Sequence, residues 1–486
     1  MEFLDKSITE IHDALIKGLV TPNELVKEAL TKAHQNKDNA FEYICDEEAL
    51  KAIEGLKNKD KNNLLWGVPF VCKDNFSTKD IPTCASSDIL KGYVPIFSSE
   101  VVDKLENAGA ILIGKATLDE LAMGGSGISG HLGTTYNPWD PTHKHQIGGS
   151  SCGSAVSVCA GIVPFALGSD TGDSIRKPAG YSSLVGLKPT WGRISRYGLF
   201  PFAPSLDHVG YFTRNVFDSA LLLETLAGRD LKDSTSSDRP VERYTEAVNC
   251  DLKGKRIAII DEVIDSIRNK DILSSFNDIL KKMEEKGAII NHVSIDTNLL
   301  KAIYPTYIVI SCAESTSNNA NLDGIKFGPR EEGESYEEVM TRSRTKGFTE
   351  FIKRRFIIGS YALLKENQYE LFLRAQKTRR LIVNAINKVF ENNDAIFAPS
   401  APDIPPLIDA SSSDKLSNEY LIADNYMAIG NFGGYPSITL PLGFIKNLPF
   451  GVNLTCKIFD ECNLFNIASG IEDLTGLKNI TVKGEN

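Results

Sequence analysis

Two turns rich in glycine and serine, within residues 148–177, could present reactive hydroxyl groups. Ser150 follows a pair of glycines, and Ser174 follows a second polar turn that also contains glycine. Glycine lets backbone N–H groups approach a ligand closely, so such turns can bind an oxyanion. Either turn alone is typical of an ordinary surface loop. Together they predict a nucleophilic site, provided that a base lies close enough to take the hydroxyl proton.

The base that this chemistry needs has two kinds of candidate. His143 and His145 lie in a polar segment just before the glycine pair, where a solvated loop histidine is the expected interpretation. Lys73 ends the apolar run 67–72, which predicts a buried strand. Burial disfavours the ammonium form and lowers the pKa of a lysine from about 10.4 toward neutrality. Lys73 is therefore the favoured base.

The elements that must hold these residues are predicted from local patterns. Small residues over 155–160 predict a tightly packed helix that ends near Gly161 and directs its N-terminus toward Ser150. Ser7 and Thr21 begin capping boxes of two amphipathic helices. Other predicted elements are strands at 41–45, 110–113, 255–260, 288–290, 395–398 and 437–440, and helices at 99–108 and 271–286.

This alternation of strands and helices predicts an α/β fold. We expect one large domain, residues 1–486, with a mixed, mostly parallel β-sheet covered by helices on both faces. Within it, N-terminal helices are expected over about 1–60, the core with the reactive turns over about 61–228, and a second half with substrate-pocket segments over about 251–486. The polar stretch 315–319 is predicted to be a surface loop beside the site.

Longer motifs carry a specific resemblance. The two serines are 24 residues apart, and Lys73 precedes them. Further motifs are ELAMG at 120–124, SDTG at 169–172, GLKPT at 186–190 and GRISRYG at 192–198. In these features the chain resembles the amidase signature family over nearly its whole length. Within that family it is similar to the glutaminase (A) subunits of tRNA-dependent amidotransferases.

The resemblance implies a Ser-Ser-Lys triad. By position, Ser174 corresponds to the family's nucleophile, Ser150 to the bridging hydroxyl and Lys73 to the terminal base, which must be neutral to accept a proton. The family also has a cis peptide bond before the bridging serine, here between Gly149 and Ser150, a conformation that is rare outside proline.

The turn before the nucleophile is implied to be an oxyanion hole. The backbone N–H groups of Thr171, Gly172, Asp173 and Ser174 would stabilise a tetrahedral intermediate, each well-placed donor contributing about 3–4 kcal/mol.

Two positions depart from the family pattern, which usually has glycine at both. Asp173 lies directly before the nucleophile, and we expect its carboxylate to pair with Arg176 or Lys177 rather than face the oxyanion. Aspartate tolerates unusual backbone angles, so the turn can still form. Cys152 has no apparent histidine partner in the sequence and is expected to be a small packing residue.

Substrate-binding residues are also implied by the resemblance. A late arginine would hold the α-carboxylate of glutamine in a bidentate pair, and Arg355 is preferred to Arg354 for this role. Asp424 would take the α-ammonium group. Met123 and Gly124 are expected to line the same pocket through backbone groups.

Hydrophobic content, net charge and cysteine count indicate which partners and which cellular compartment to expect. With 486 residues and 42% hydrophobic content, the chain can bury a large core, and a net charge of −10 disfavours direct binding of nucleic acid. Nine cysteines without a C-x-x-C pair argue against a disulfide framework or a zinc ribbon. We expect no metal site, no bound cofactor, no membrane contact and a cytoplasmic location.

The function implied by the resemblance is hydrolysis of glutamine to glutamate and ammonia within a heterotrimer. B and C subunits would be the partners, and the B subunit would hold most of the tRNA and use ATP and Mg²⁺ to activate the misacylated acceptor. The acceptor, Glu-tRNA(Gln), Asp-tRNA(Asn) or both, stays open. Two alternatives also stay open: a free-standing amidase acting on another small amide, and a scaffold subunit disabled by Asp173.

Overall fold

A sheet of 11 strands runs through the chain in the computed structural model, which describes residues 3–410 and 415–482. The spatial order of the strands is β1-β3-β2-β4-β6-β5-β10-β11-β9-β7-β8. Their bounds are β1 Phe41–Ile44, β2 Pro69–Lys73, β3 Ile111–Ala116, β4 Phe165–Asp170, β5 Val185–Lys188, β6 His208–Thr213, β7 Arg256–Ile260, β8 Ile289–Val293, β9 Ala395–Pro399, β10 Ser437–Ile445 and β11 Leu448–Cys456.

The sheet is mixed, as predicted, but the prediction that it is mostly parallel was wrong. Among the ten strand pairs of the described residues, four are parallel and six are antiparallel. Alternating strand and helix patterns predict parallel crossovers, yet β10 and β11 form a hairpin with no helix between them. Its turn residues Lys446 and Asn447 have φ of 52° and 65°, which suits the tight turn of a two-residue hairpin.

Helices flank this sheet and confirm the α/β class. Their bounds are α1 Ile8–Ile16, α2 Pro22–Gln35, α3 Asp46–Gly55, α4 Glu100–Asn107, α5 Cys152–Cys159, α6 Arg176–Tyr181, α7 Val216–Leu226, α8 Asp261–Ile264, α9 Lys270–Glu285, α10 Thr297–Lys301, α11 Ile303–Asn318, α12 Tyr336–Gly347, α13 Glu350–Leu363, α14 Arg374–Phe390, α15 Ile429–Phe432 and α16 Glu461–Thr475. Both predicted capping boxes, at Ser7 and Thr21, are present.

One predicted loop is a helix. Residues 315–318 are the last turn of α11, so the expectation of a surface loop at 315–319 was wrong. The side chains of Ser315 and Thr316 donate to the Cys312 carbonyl at 3.0 and 2.8 Å, which satisfies their hydroxyl groups inside the helix. Packing of this helix against α13 outweighs the local preference of serine and asparagine for loops.

The centre of the sheet is covered on both faces. Every residue of β2, β3, β4, β5 and β6 is buried, although side chains alternate between the two faces of a strand. Helix α5 packs against β2, β3, β4 and β6, and all eight of its residues are buried. Polar side chains at the ends of these strands therefore lie in an environment with little water.

A search of the described residues for membrane spans finds no helix with the length and apolar character that a crossing requires.

Candidate active site

Lys73 is the last residue of β2, and its fully buried side chain ends among three hydroxyl groups. Its Nζ lies 2.8 Å from Oγ of Ser150 and 2.9 Å from Oγ of both Ser151 and Ser169. The peptide bond between Gly149 and Ser150 is cis, as the resemblance implied. The structure thus joins the end of one central strand to the turn that precedes α5.

Burial lowers the pKa of the Lys73 ammonium group to about 7, because the protein interior solvates a charge poorly. The carboxylates of Asp119 and Asp170 act in the opposite direction, but burial is the larger effect. A substantial share of Lys73 is therefore the neutral amine near neutral pH, and this form can accept a proton.

In its neutral form, the Lys73 amine has two N–H donors and one lone pair for the hydroxyl groups around it. Asn75 donates to the Ser169 hydroxyl at 3.0 Å, and the Ser151 hydroxyl donates to the Ser169 carbonyl at 3.1 Å. If Lys73 donates to Ser151 and Ser169, its lone pair is left for the proton of Ser150. Asn75, Ser151 and Ser169 were not identified as site residues from the sequence. Two of them had a positional signal, because Ser151 adjoins Ser150 and Ser169 lies near the end of β4, beside β2.

A buried ion pair stabilises the turn that carries Ser174. Arg176 donates to both carboxylate oxygens of Asp170, at 3.0 and 2.9 Å, with both side chains fully buried. Burial opposes ionisation of Asp170, yet the guanidinium lowers the pKa of this carboxyl group well below its usual range. Arg176 also donates to the Gly172 carbonyl at 2.7 Å. Since C=O and N–H point in opposite directions across a trans peptide, this bond directs the Asp173 N–H away from Arg176.

The backbone of the same turn offers free donors. Within residues 3–410 and 415–482, the N–H groups of Thr171, Gly172 and Asp173 donate to no protein acceptor. The Ser174 carbonyl accepts the Ser151 N–H at 3.2 Å, so the turn that carries Ser174 adjoins the turn that holds Ser150. Ser174 itself is 3% exposed. This arrangement can stabilise a negative charge that forms beside Ser174.

The carboxylate of Asp173 is paired with Lys177, at 2.9 Å between Oδ2 and Nζ. Lys177 also donates to the carboxylate of Asp424 at 3.1 Å and to its carbonyl at 2.8 Å. Burial disfavours the charged lysine, but the two carboxylates raise its pKa well above the ordinary value. One buried ammonium group therefore links the turn that carries Ser174 to the segment that follows the π-helical turn Glu419–Ala423.

Arg355 lies on α13 with its guanidinium 4.8 Å from the centre of the Phe351 ring. Among the described residues, its Nε and Nη1 atoms have no hydrogen-bond partner although they are shielded from water. Burial raises the pKa of Tyr307, and the positive charge of Arg355 opposes this shift. The Tyr307 ring packs against Gly172. Arg354 is exposed. The geometry thus favours Arg355 over Arg354 as an anion-binding group, although Arg355 contacts no triad residue directly.

Met123 and Gly124 adjoin the bridging-serine turn through Asp119. The Asp119 carboxylate accepts the backbone N–H groups of Ser126, Gly127 and Ser129. A Cβ atom on either Gly124 or Gly149 would overlap this carboxylate, so both positions require glycine. Met123 is buried.

Cys152 is buried at the first position of α5, where its thiol donates to the Thr117 carbonyl at 3.6 Å. Burial raises the pKa of this thiol to about 12, so it stays protonated at neutral pH. Cys152 is therefore suited to packing and not to nucleophilic attack.

Comparison with known proteins agrees with this geometry. The profile of the Amidase family matches residues 24–465. The chain is 38% identical over 481 residues to the A subunit of the glutamyl-tRNA(Gln) amidotransferase from Listeria innocua, covering 98% of each chain, and 39% identical over 484 residues to that from Streptococcus sanguinis, covering 98% and 97%. A crystal structure of the corresponding protein from Thermotoga maritima matches with a TM-score of 0.80 and 32% identity, covering 100% and 99%. With its buried lysine beside a serine in a cis peptide, this chain belongs to the amidase family.

Proposed function

We propose that this chain is the glutamine-hydrolysing subunit of a tRNA-dependent amidotransferase. The observation that carries the proposal is the 2.8 Å contact between the buried Lys73 amine and the Ser150 hydroxyl, in a chain whose relatives are, over nearly their whole length, A subunits of glutamyl-tRNA(Gln) amidotransferases. The contact supports Lys73 as the base, and the relatives support glutamine as the amide substrate.

In the first step, Ser174 Oγ attacks the side-chain amide carbon of glutamine. The Ser174 proton passes to Ser150, whose own proton passes to neutral Lys73. The carbonyl oxygen gains a negative charge, and the N–H groups of Thr171, Gly172 and Asp173, which have no protein acceptor, stabilise it. Collapse of the intermediate breaks the C–N bond.

The leaving nitrogen takes the proton back from the Lys73 ammonium group through Ser150, and ammonia departs. Water then attacks the ester on Ser174, with the relay accepting its proton, and glutamate is released. Arg355 would hold the α-carboxylate of glutamine during both steps, Asp424 the α-ammonium, and backbone groups of Met123 and Gly124 would line the pocket.

The ammonia would be used by partners. We infer a heterotrimer with B and C subunits, in which the B subunit uses ATP and Mg²⁺ to activate Glu-tRNA(Gln), Asp-tRNA(Asn) or both, and binds most of the tRNA. The net charge of −10 supports this division of roles, because the chain by itself would repel a polyanion. All nine cysteines are free thiols, which supports a reducing cytoplasmic location.

Co-expression with candidate B and C subunits tests this function. We expect a stable complex that forms Gln-tRNA(Gln) or Asn-tRNA(Asn) with glutamine as the nitrogen donor. Glutamine hydrolysis without any copurifying partner would instead support a free-standing amidase.

One observation favours that second candidate. The Asp424 carboxylate, expected to take the substrate ammonium, is already paired with Lys177. A small amide that has a carboxylate for Arg355 but no ammonium group would not compete with Lys177 for the Asp424 carboxylate. Comparing kcat/KM for glutamine and for glutaramate, which lacks the α-ammonium, separates the candidates: preference for glutamine supports the glutaminase, and preference for glutaramate supports the other amidase.

Activity is expected to rise with pH through about 7 and then level off. Lys73 accepts a proton only when neutral, and burial lowers its pKa to about 7, so lowering the pH through this value removes the base. The measurement is kcat/KM for glutamine hydrolysis from pH 5.5 to 9. A profile that stays flat down to pH 5.5 would contradict a role for Lys73 as base.

Replacing Asp173 is expected to have a small effect. In Asp173→Gly the backbone N–H donor remains, and Lys177 keeps its bonds to Asp424, so kcat/KM should stay within about an order of magnitude of the wild-type value. Asp173→Asn is the matched control, since it removes the charge but keeps the size. A rise of about a hundredfold would mean that the carboxylate opposes the oxyanion, and recovery of activity from an inactive wild type would support the disabled scaffold.

A further inference from the structure

Three metal-ligating side chains meet outside the triad, at a point where separate segments of the chain converge. Glu42 lies on β1, Cys84 follows β2, and His131 lies in the loop after Gly124. Sγ of Cys84 is 3.6 Å from Oε2 of Glu42 and 3.8 Å from Nε2 of His131. Nε2 and Oε2 are 2.9 Å apart. The three side chains are partly exposed, so an ion could enter from solvent.

These separations resemble the edges of a tetrahedral zinc site. With Zn–S of about 2.3 Å and Zn–N or Zn–O of about 2.0–2.2 Å, neighbouring ligand atoms lie roughly 3.3–3.6 Å apart. The two distances from Sγ of Cys84 are within about 0.3 Å of this range. The distance between Nε2 of His131 and Oε2 of Glu42 would have to increase by about 0.4 Å. We propose that Glu42, Cys84 and His131 bind a zinc ion through Oε2, Sγ and Nε2, contrary to the expectation from sequence that the chain has no metal site.

The groups around these atoms already orient them toward a common point. Nδ1 of His131 lies 2.9 Å from the carboxylate of Asp88, and Ser86 donates to the other oxygen of Glu42 at 2.5 Å. A histidine that binds metal typically donates its second ring N–H to a carboxylate, which fixes the ring and leaves the other nitrogen for the ion. Asp88 supplies that partner here.

A divalent cation also suits the local charge, because the carboxylates of Glu42 and Asp88 both lie 2.9 Å from the ring nitrogens of His131.

The fourth ligand position is assigned to water. The Asp74 carboxylate also lies close to the site, with Oδ2 3.3 Å from Sγ of Cys84. It is engaged elsewhere, because it accepts the Cys84 and Ala85 N–H groups and forms a buried ion pair with Lys115 at 3.2 Å. The ion would therefore link β1, the segment after β2 and the His131 loop. Thiolate and imidazole ligands favour zinc over magnesium or calcium.

Metal content of the purified full-length chain tests the proposal directly and does not depend on its catalytic function. After dialysis against Zn²⁺, we expect one tightly bound zinc per chain, and Co²⁺ substitution should give the ultraviolet charge-transfer band of a thiolate ligand. Cys84→Ser and His131→Gln should each abolish binding, whereas Cys250→Ser, which changes an exposed thiol elsewhere, should not. Asp88→Asn should weaken binding by about 10- to 100-fold.

Absence of stoichiometric zinc in the wild type would overturn the proposal and leave His131 as an imidazolium between Glu42 and Asp88. Retention of zinc by both Cys84→Ser and His131→Gln would overturn it as well. Thermal unfolding of each variant without metal shows whether a loss of binding reflects a lost ligand, and Glu42→Gln provides a third ligand variant if either of the first two fails to fold.

Discussion

Ser174→Ala is expected to abolish glutamine-dependent transamidation while the reaction supplied with free ammonium continues. Ser174 provides the only oxygen that forms the acyl-enzyme in the proposed mechanism, and ammonium enters after that step. The expected loss in glutamine hydrolysis is on the order of 10⁶-fold, the size seen when a serine nucleophile is removed. Both reactions are measured on the same complex with B and C subunits, so assembly is held constant.

Ser157→Ala is the matched control for Ser174→Ala. Ser157 is a buried serine on α5 whose hydroxyl donates to the Ser154 carbonyl, and it contacts none of the triad. It should retain both activities. Loss of the ammonium-dependent reaction in Ser174→Ala would contradict a separate glutaminase site, and retention of glutamine hydrolysis would remove Ser174 from the mechanism.

Lys73→Met is expected to lower glutamine hydrolysis by about 10²- to 10⁴-fold, which is the usual contribution of a general base and corresponds to about 3–5 kcal/mol. Methionine has a similar length and suits the buried environment of the Lys73 side chain, so the fold should be retained. The measurement is steady-state kcat/KM above pH 8, where wild-type Lys73 is neutral, together with thermal unfolding.

Ser150→Ala should give a loss of similar size, because the proton path from Ser174 to Lys73 is broken at its middle. The double variant Lys73→Met, Ser150→Ala should then be little worse than either single variant, since both residues serve one relay. Additive losses would contradict a shared relay, and near-normal turnover of Lys73→Met would remove this lysine from the mechanism.

Local patterns predicted seven of the eleven strands that the structure describes, but only five of its sixteen α-helices. The capping boxes at Ser7 and Thr21 fix the starts of α1 and α2, because the hydroxyl and the glutamate three residues later satisfy N–H groups that a helix start leaves free. The apolar run before Lys73 predicted β2, because a strand covered on both faces buries every side chain of such a run. Strand direction was predicted less well. The antiparallel pairing of β10 with β5 depends on contacts distant in sequence, and the hairpin of β10 and β11 was not identified from the sequence.

The residues available for chemistry can be identified from local sequence: a lysine at the end of an apolar strand, two serines in glycine-rich turns, and small residues that allow α5 to pack between those turns. These are local properties of residue type and spacing. How the residues meet depends on the packing of remote segments. Parallel pairing of β2 with β4 brings Lys73 to Ser169, and burial lowers the pKa of Lys73. Lys177 connects the nearby Asp173 to Asp424, which lies 247 residues after Lys177 in the sequence. Distances and desolvation depend on packing between remote segments, so no local pattern encodes them.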